Sequence, residues 1–223
     1  MRYLTIIFLM ILASCQQSAV ETIDYVDPFI GTGGHGHTFP GAAHPFGMMQ
    51  LSPDTRLEGW DGCGGYHYSD SIIHGFSHTH LSGTGVSDYA DILLMPTTGD
   101  LYLNNGADGS KGYCSVFSHE KEKAEAGFYQ VFLEDYGVDV QLTVSERSGF
   151  HQYTFPQGED AQVVLDLRHR DQVLTAQIEI VDSLTIQGHR YSNSWAKDQR
   201  LHFFMRLSSP IKNITFTDDS LVA

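Results

Sequence analysis

The sequence predicts a mostly β protein, an antiparallel β-sandwich carrying long glycine- and histidine-rich loops. Three observations lead there. Short segments with apolar residues at alternate positions recur through the second half of the chain, at 128–134, 138–144, 150–155, 161–167, 176–181, 184–189 and 201–207. Turn-forming pieces separate them, among them Asp135-Tyr136-Gly137, Pro156-Gln157-Gly158 and Asp182-Ser183. Helical periodicity is nearly missing: only 119–126 reads as a helix, and it is too short to define an architecture. Short strands at this spacing fold as a sandwich. Within Val140-Gln141-Leu142-Thr143-Val144 the alternation is strict, as a sheet with one wetted face requires.

The first half is built differently. Between residues 23 and 99 lie most of the 22 glycines and seven of the 12 histidines. A run such as Gly31-Thr32-Gly33-Gly34-His35-Gly36-His37 suits neither a helix nor a strand interior, because glycine loses the most backbone freedom and offers no side chain to pack. These segments read as loops on a rigid scaffold, where ligands are usually met.

The first residues form a leader. Met1-Arg2 is followed by an apolar run, 3–12, too short to span a bilayer, and then by Leu12-Ala13-Ser14-Cys15. That junction resembles a bacterial lipobox, so Cys15 is expected to carry lipid. Residues 1–14 are then the signal peptide, 15–22 a polar tether and 23–223 the sandwich domain. The protein is expected to be exported and anchored in a membrane through lipid, in the periplasm or on the outer-membrane surface.

Composition narrows the partners. Thirteen basic residues against 27 acidic ones give a net charge of -14, and no basic face for a phosphate backbone is visible, so nucleic acid is not an expected partner. Cys63 and Cys114 remain after the leader. They can pair in an oxidising compartment, or Cys63, set among glycines and polar residues, can line a site.

Two constellations carry chemistry. His35-Gly36-His37 with His44, and His78-Thr79-His80, place imidazoles two residues apart, a spacing that zinc sites use. No His-Glu-x-x-His arrangement supports them, and hydrogen bonds to ligand hydroxyls or loop backbone fit better. The second constellation is Gly59-Trp60-Asp61-Gly62-Cys63-Gly64-Gly65-Tyr66-His67-Tyr68. An aromatic face beside an acid and imidazoles suits a sugar, whose C–H faces stack while its hydroxyls are hydrogen-bonded. Asp88 and Asp91 are read as loop braces, not catalysts.

The strings Tyr25-Val26-Asp27-Pro28-Phe29-Ile30-Gly31-Thr32-Gly33-Gly34, Phe39-Pro40-Gly41-Ala42 and Pro45-Phe46-Gly47-Met48 resemble the opening of glycoside hydrolase family 92. So do Gly65-Tyr66-His67-Tyr68 and Gly75-Phe76-Ser77-His78-Thr79-His80-Leu81-Ser82-Gly83-Thr84-Gly85, and the similarity reaches Trp195-Ala196-Lys197-Asp198-Gln199. Gly62, Gly64 and Val86 depart from the family pattern. The resemblance implies the amino-terminal domain of a bacterial exo-acting α-mannosidase that inverts the anomeric carbon, needs calcium and degrades mannose-containing glycans. In that family both catalytic carboxylates and the main calcium ligands belong to a helical domain packed on this one. No helical pattern of that kind occurs before Ala223, so the chain alone is expected to be inactive. Trp60, Asp61, Cys63, His78, His80 and Trp195 are the expected substrate-binding residues, with no catalytic residue and no metal ligand. The alternative is a carbohydrate-binding lipoprotein without hydrolytic activity.

Overall fold

The computed structural model describes residues 20–216, so the leader and Cys15 lie outside the described residues. One sheet has five strands in the order β1 (Ala42–Ala43), β2 (Gln50–Asp54), β4 (Gly75–Ser77), β5 (Leu93–Thr97), β11 (Gln162–Asp166). A second runs β10 (Gly149–Thr154), β9 (Val138–Val144), β8 (Phe128–Leu133), β7 (Glu122–Glu125). Between them in sequence, β3 (Ile72–Ile73) pairs with β6 (Ser115–Val116). A three-stranded sheet, β12 (Gln172–Asp182), β13 (Thr185–Asn193) and β14 (Gln199–Arg206), completes the fold. Every pairing is antiparallel.

The first two sheets form the sandwich. Leu51, Phe76, Leu93 and Met95 from one meet Tyr129, Val131, Leu133, Val138, Val140 and Leu142 from the other in a single core. Strands β8 and β9 bury every second residue, as their alternation predicts. Truncating one of these side chains, as in Leu142→Ala, leaves a cavity in a close-packed interior and costs about 2–5 kcal/mol. The three-stranded sheet packs through a smaller cluster of Ile92, Leu167 and Ala176, flanked by Leu201 and Phe203.

One element corrects the sequence reading. Residues 119–126 are not a helix: a short 3-10 turn, His119–Lys121, leads straight into β7. The cause is the Glu122 carboxylate, buried in the core and hydrogen-bonded to Tyr129 Oη at 2.6 Å, Tyr66 Oη at 3.0 Å and His119 Nδ1 at 2.6 Å. The two tyrosines lie outside the segment, Tyr129 on β8 itself, and the segment pairs with β8 around Gly127 instead of closing local helical bonds.

Strand β2 has two faces of opposite character. Leu51 belongs to the apolar core, while Ser52 and Asp54 share their face of the sheet with Ser77 of β4. That face is polar yet buried, and it lies beneath the glycine-rich loops. It is the platform on which the candidate site stands.

Candidate functional site

Three loops knit into one rim. Gly62 N donates to Gly36 O at 3.1 Å, Gly83 N to His37 O at 2.8 Å, and Tyr68 N to Thr32 O at 2.9 Å. Trp60 stands at the tip, 64% exposed. Its indole lies against Gly85, where a Cβ would meet ring carbons at 2.2 Å, so only glycine admits the ring there. The His37 ring meets the indole edge-on, with centroids 5.0 Å apart, and its Nε2 has no hydrogen-bond partner. His35 Nδ1 lies 2.9 Å from Asp61 Oδ1, and that hydrogen bond holds the exposed Asp61 carboxyl below its ordinary value. The sequence-predicted Trp60 and Asp61 thus share one exposed rim with His35 and His37.

Cys63 lies under this rim, fully enclosed. Its thiol donates to Thr84 O at 2.7 Å, and its carbonyl accepts from Arg170 Nη2 at 2.9 Å. Burial pushes the thiol pKa up, so Cys63 remains a neutral brace between two loops. It makes no disulfide with Cys114; both are free.

His78 and His80 lie deeper still. The His80 side chain is 0% exposed; Nδ1 donates to Gln50 O at 2.9 Å, and Nε2 stands 3.0 Å from Asp54 Oδ1. Nε2 also lies 3.1 Å from Ser77 Oγ, so both ring nitrogens are engaged within the platform. Burial would raise the Asp54 carboxyl, but His80 and His169 together outweigh it and hold it well below the carboxylate range. Gly65 is required at this point: its φ is +104°, and a Cβ would fall 2.4 Å from Asp54 Oδ1. His78 Nδ1 donates to Ile92 O at 2.6 Å, and its Nε2 lies 2.9 Å from His151 Nε2. His151 Nδ1 in turn lies 2.8 Å from Tyr153 Oη. One assignment satisfies every atom: Tyr153 donates to His151, and His151 donates to His78, with both rings neutral. Burial agrees, pushing His78 down to about 4 and His151 well below its usual value. The structure therefore places His78 and His80 inside the scaffold, with their ring nitrogens already engaged.

Trp195 is 69% exposed on the turn between β13 and β14. Its hairpin docks on the loop that follows Gly85, with Ala196 N donating to Asp88 Oδ2 at 3.0 Å and Ser194 Oγ to Ser87 O at 3.4 Å. Asp91 is enclosed against Arg190 and accepts from Thr79 Oγ1 at 2.7 Å. Asp88 thus serves loop donors, whereas Asp91 also ties its loop to β13 and β14 through Arg190 and Gln199. Sequence reasoning missed Asp54, Arg170 and Arg190. Arg190 sits at an inward position of β13, and an arginine among inward positions is the one available signal.

Among the described residues, no three His, Cys, Asp or Glu side chains gather as a metal cage. The histidine pairs do not converge on a zinc ion, and the loop carboxylates do not form the oxygen cage calcium needs. The carboxylates beside the rim are engaged too: Asp61 with His35, Asp88 with backbone donors, Asp91 with Arg190. The arrangement can hold a polar ligand against an aromatic face.

The profile of the glycosyl hydrolase family 92 N-terminal domain matches residues 25–222. A family 92 α-mannosidase of Bacteroides thetaiotaomicron, solved with mannoimidazole bound, superposes with a TM-score of 0.79 at 34% identity, over 89% of this chain and 28% of its own. An inverting family 92 mannosidase from the same organism gives 0.71 at 30% identity, over 86% and 26%. An uncharacterized secreted glycosidase of Arthroderma benhamiae is 31% identical over 160 residues, 70% of this chain and 20% of the fungal protein. The chain spans less than a third of the length of each of these relatives. On this match, which covers nearly 90% of the sequence, the chain belongs to glycoside hydrolase family 92 and corresponds to its N-terminal domain.

Proposed function

We propose that this chain is the sugar-gripping sandwich of an exported, inverting exo-α-mannosidase, and that the chemistry is performed by a helical domain packed against it. The observation that carries the reading is the exposed Trp60 face, with His37 at its edge and the His35–Asp61 pair beside it. An indole covers one face of a pyranose, and the imidazoles and carboxylate take hydroxyls. Trp195 supplies a second exposed aromatic face. Cys63, His78 and His80 act from beneath, holding the loops in register.

Inversion requires one carboxylic acid to protonate the leaving oxygen and one carboxylate to activate water, about 6.5–9.5 Å apart. Asp61, Asp88 and Asp91 are each hydrogen-bonded within the chain, which supports placing both catalytic groups and the calcium site in the companion domain. Calcium there would order sugar hydroxyls; no step in this chain runs through it. Export and lipid attachment at Cys15 complete the proposal, supported by the leader pattern and by the secreted fungal relative. Among the described residues no helix is long and apolar enough to cross a membrane.

Calorimetric titration of the chain with methyl α-mannoside tests this reading. Saturable binding that Trp60→Ala weakens is expected, together with no release of mannose from an aryl α-mannoside, with or without calcium. Absence of binding contradicts the sugar-gripping role, and mannose release contradicts the division of labour. Labelled fatty acid should enter the protein, and Cys15→Ala should stop it.

A further inference from the structure

Four non-glycine residues beside the Trp195 hairpin hold left-handed backbone: Tyr89 at φ 73°, Ala90 at 60°, Ile92 at 55° and Asp171 at 57°. L-residues rarely adopt this conformation, so surrounding bonds must hold it in place. Ala90 N is tied to Thr79 O and Ile92 O to His78, while at Tyr89 the bonds run to two carboxyls. Tyr89 N donates to Asp88 Oδ1 at 3.0 Å and to Asp171 Oδ2 at 3.2 Å, and Asp88 Oδ2 accepts from Ala196 N at 3.0 Å. Asp88 is nearly enclosed, and because one N–H serves both carboxyls, the Asp88 and Asp171 side chains are held close together. Three segments far apart in sequence therefore meet on one acid pair: the loop after Gly85, the link between β11 and β12, and the β13–β14 hairpin.

We infer that Asp88 and Asp171 form a proton-sharing latch that seats the Trp195 hairpin on the Ser87–Ile92 loop, which makes both carboxyls positioning residues for sugar binding. The functional half of this inference rests on the proposed role of Trp195; the latch itself does not. Two carboxyls drawn onto one N–H repel when both are charged, which favours the state in which one of them keeps its proton. Burial, and then the charge of Asp88, push Asp171 up to about 7. The other groups facing the pair are Asp91 on the loop, which adds repulsion, and Arg190 of β13, which opposes it. Arg190 is already taken by Asp91 and by the carbonyls of Leu167 and Arg170, so it does not neutralise the pair. On the solvent side lies a cleft of about 450 Å³, lined by Glu58, Ser87, Arg168, His169, Arg170 and Asp171, through which protons reach the latch. Below neutral pH the pair shares one proton and the hairpin is seated. As pH rises through about 7 the second charge appears, the carboxyls repel, and the hairpin loosens.

The test uses the whole chain labelled with 15N. The amide signals of Tyr89 and Ala196 and the indole signal of Trp195 are followed from about pH 5 to about pH 9, a window that brackets the latch. All three are expected to move together with a midpoint near 7, and Asp171→Asn should abolish that movement, leaving the signals at their low-pH positions. Flat amides in the parent, or an unchanged titration in Asp171→Asn, overturn the latch. Should Asp171→Asn fail to fold, Asp88→Asn takes its place, with the same loss of titration expected and persistence overturning. Methyl α-mannoside is titrated into the same sample at both ends of the range. Weaker binding at high pH supports positioning, and equal affinity overturns it. Sugar that binds at neither end overturns the sugar-binding reading and leaves the latch to be decided by the amides.

Discussion

Two histidine pairs of the same form, His35-Gly36-His37 and His78-Thr79-His80, stand in opposite surroundings. The first lies on exposed loops framed by glycine, with Trp60 and Asp61 as neighbours. The second hangs from the end of β4, where strand pairing turns its rings into the polar interior against Gln50, Asp54, Ile92 and His151. What separates them is not spacing but what flanks them. Glycines keep the first pair on a loop at the surface; a strand that pairs on both edges draws the second inside. The inner pair stiffens the platform, and the outer pair is left available to a ligand.

The largest effect should come from breaking the inner pair. Asp54→Ala leaves the enclosed His80 and His169 without their carboxylate, and losing one partner of a buried ion pair costs about 3–5 kcal/mol. Denaturant titration measures it, and a loss below about 1 kcal/mol, the level of an exposed pair, would show that the interior is wetter than the fold implies.

A pH effect follows from His78 and His151. Both are held neutral in the fold, His78 with a value of about 4 against an ordinary 6.5. The unfolded chain therefore takes up more protons on acidification. This stability is fully present above about 6.5 and is lost as pH falls towards 4. Asp171 works in the opposite direction, since its raised value favours the fold at low pH and loses that contribution as pH rises from its ordinary 3.8 to about 7. Stability measured across this range should decline on acidification, and more steeply in Asp171→Asn. A slope that Asp171→Asn leaves unchanged would remove Asp171 from this balance.

Breaking the outer pair should touch binding and spare the fold. Trp60→Ala should weaken mannoside binding by about 1–3 kcal/mol, the stacking and hydrogen-bonding scale, while stability moves by less than about 0.5 kcal/mol. Melting temperature and affinity measured on one preparation separate the two. The smallest effect belongs to His35→Ala, which removes the exposed hydrogen bond to Asp61 and should leave the melting temperature nearly unchanged.

The regular half of the fold was legible because alternation is a local signal: the segments at 128–134 and 138–144 appear as β8 and β9 with nearly the same bounds. The segment at 119–126 was not, because the partners that hold Glu122 lie on β8 and near Tyr66. The glycines of the first half announced surface loops, and Trp60 stands exposed on one of them. It could not announce which histidine pair faces outward, since that depends on contacts such as His80 with Asp54 and His78 with His151, 26 and 73 residues apart. The Asp88–Asp171 pair was hidden for the same reason.

The central claim is that the outer pair meets sugar while the inner pair braces it, and a titration of the labelled chain with methyl α-mannoside tests this most directly. The Trp60 indole and the His35 and His37 ring signals are followed beside those of His78 and His80. Saturable shifts at Trp60, His35 and His37, with His78 and His80 unmoved, are the predicted result. Saturable shifts confined to His78 and His80, with Trp60 still, would contradict it.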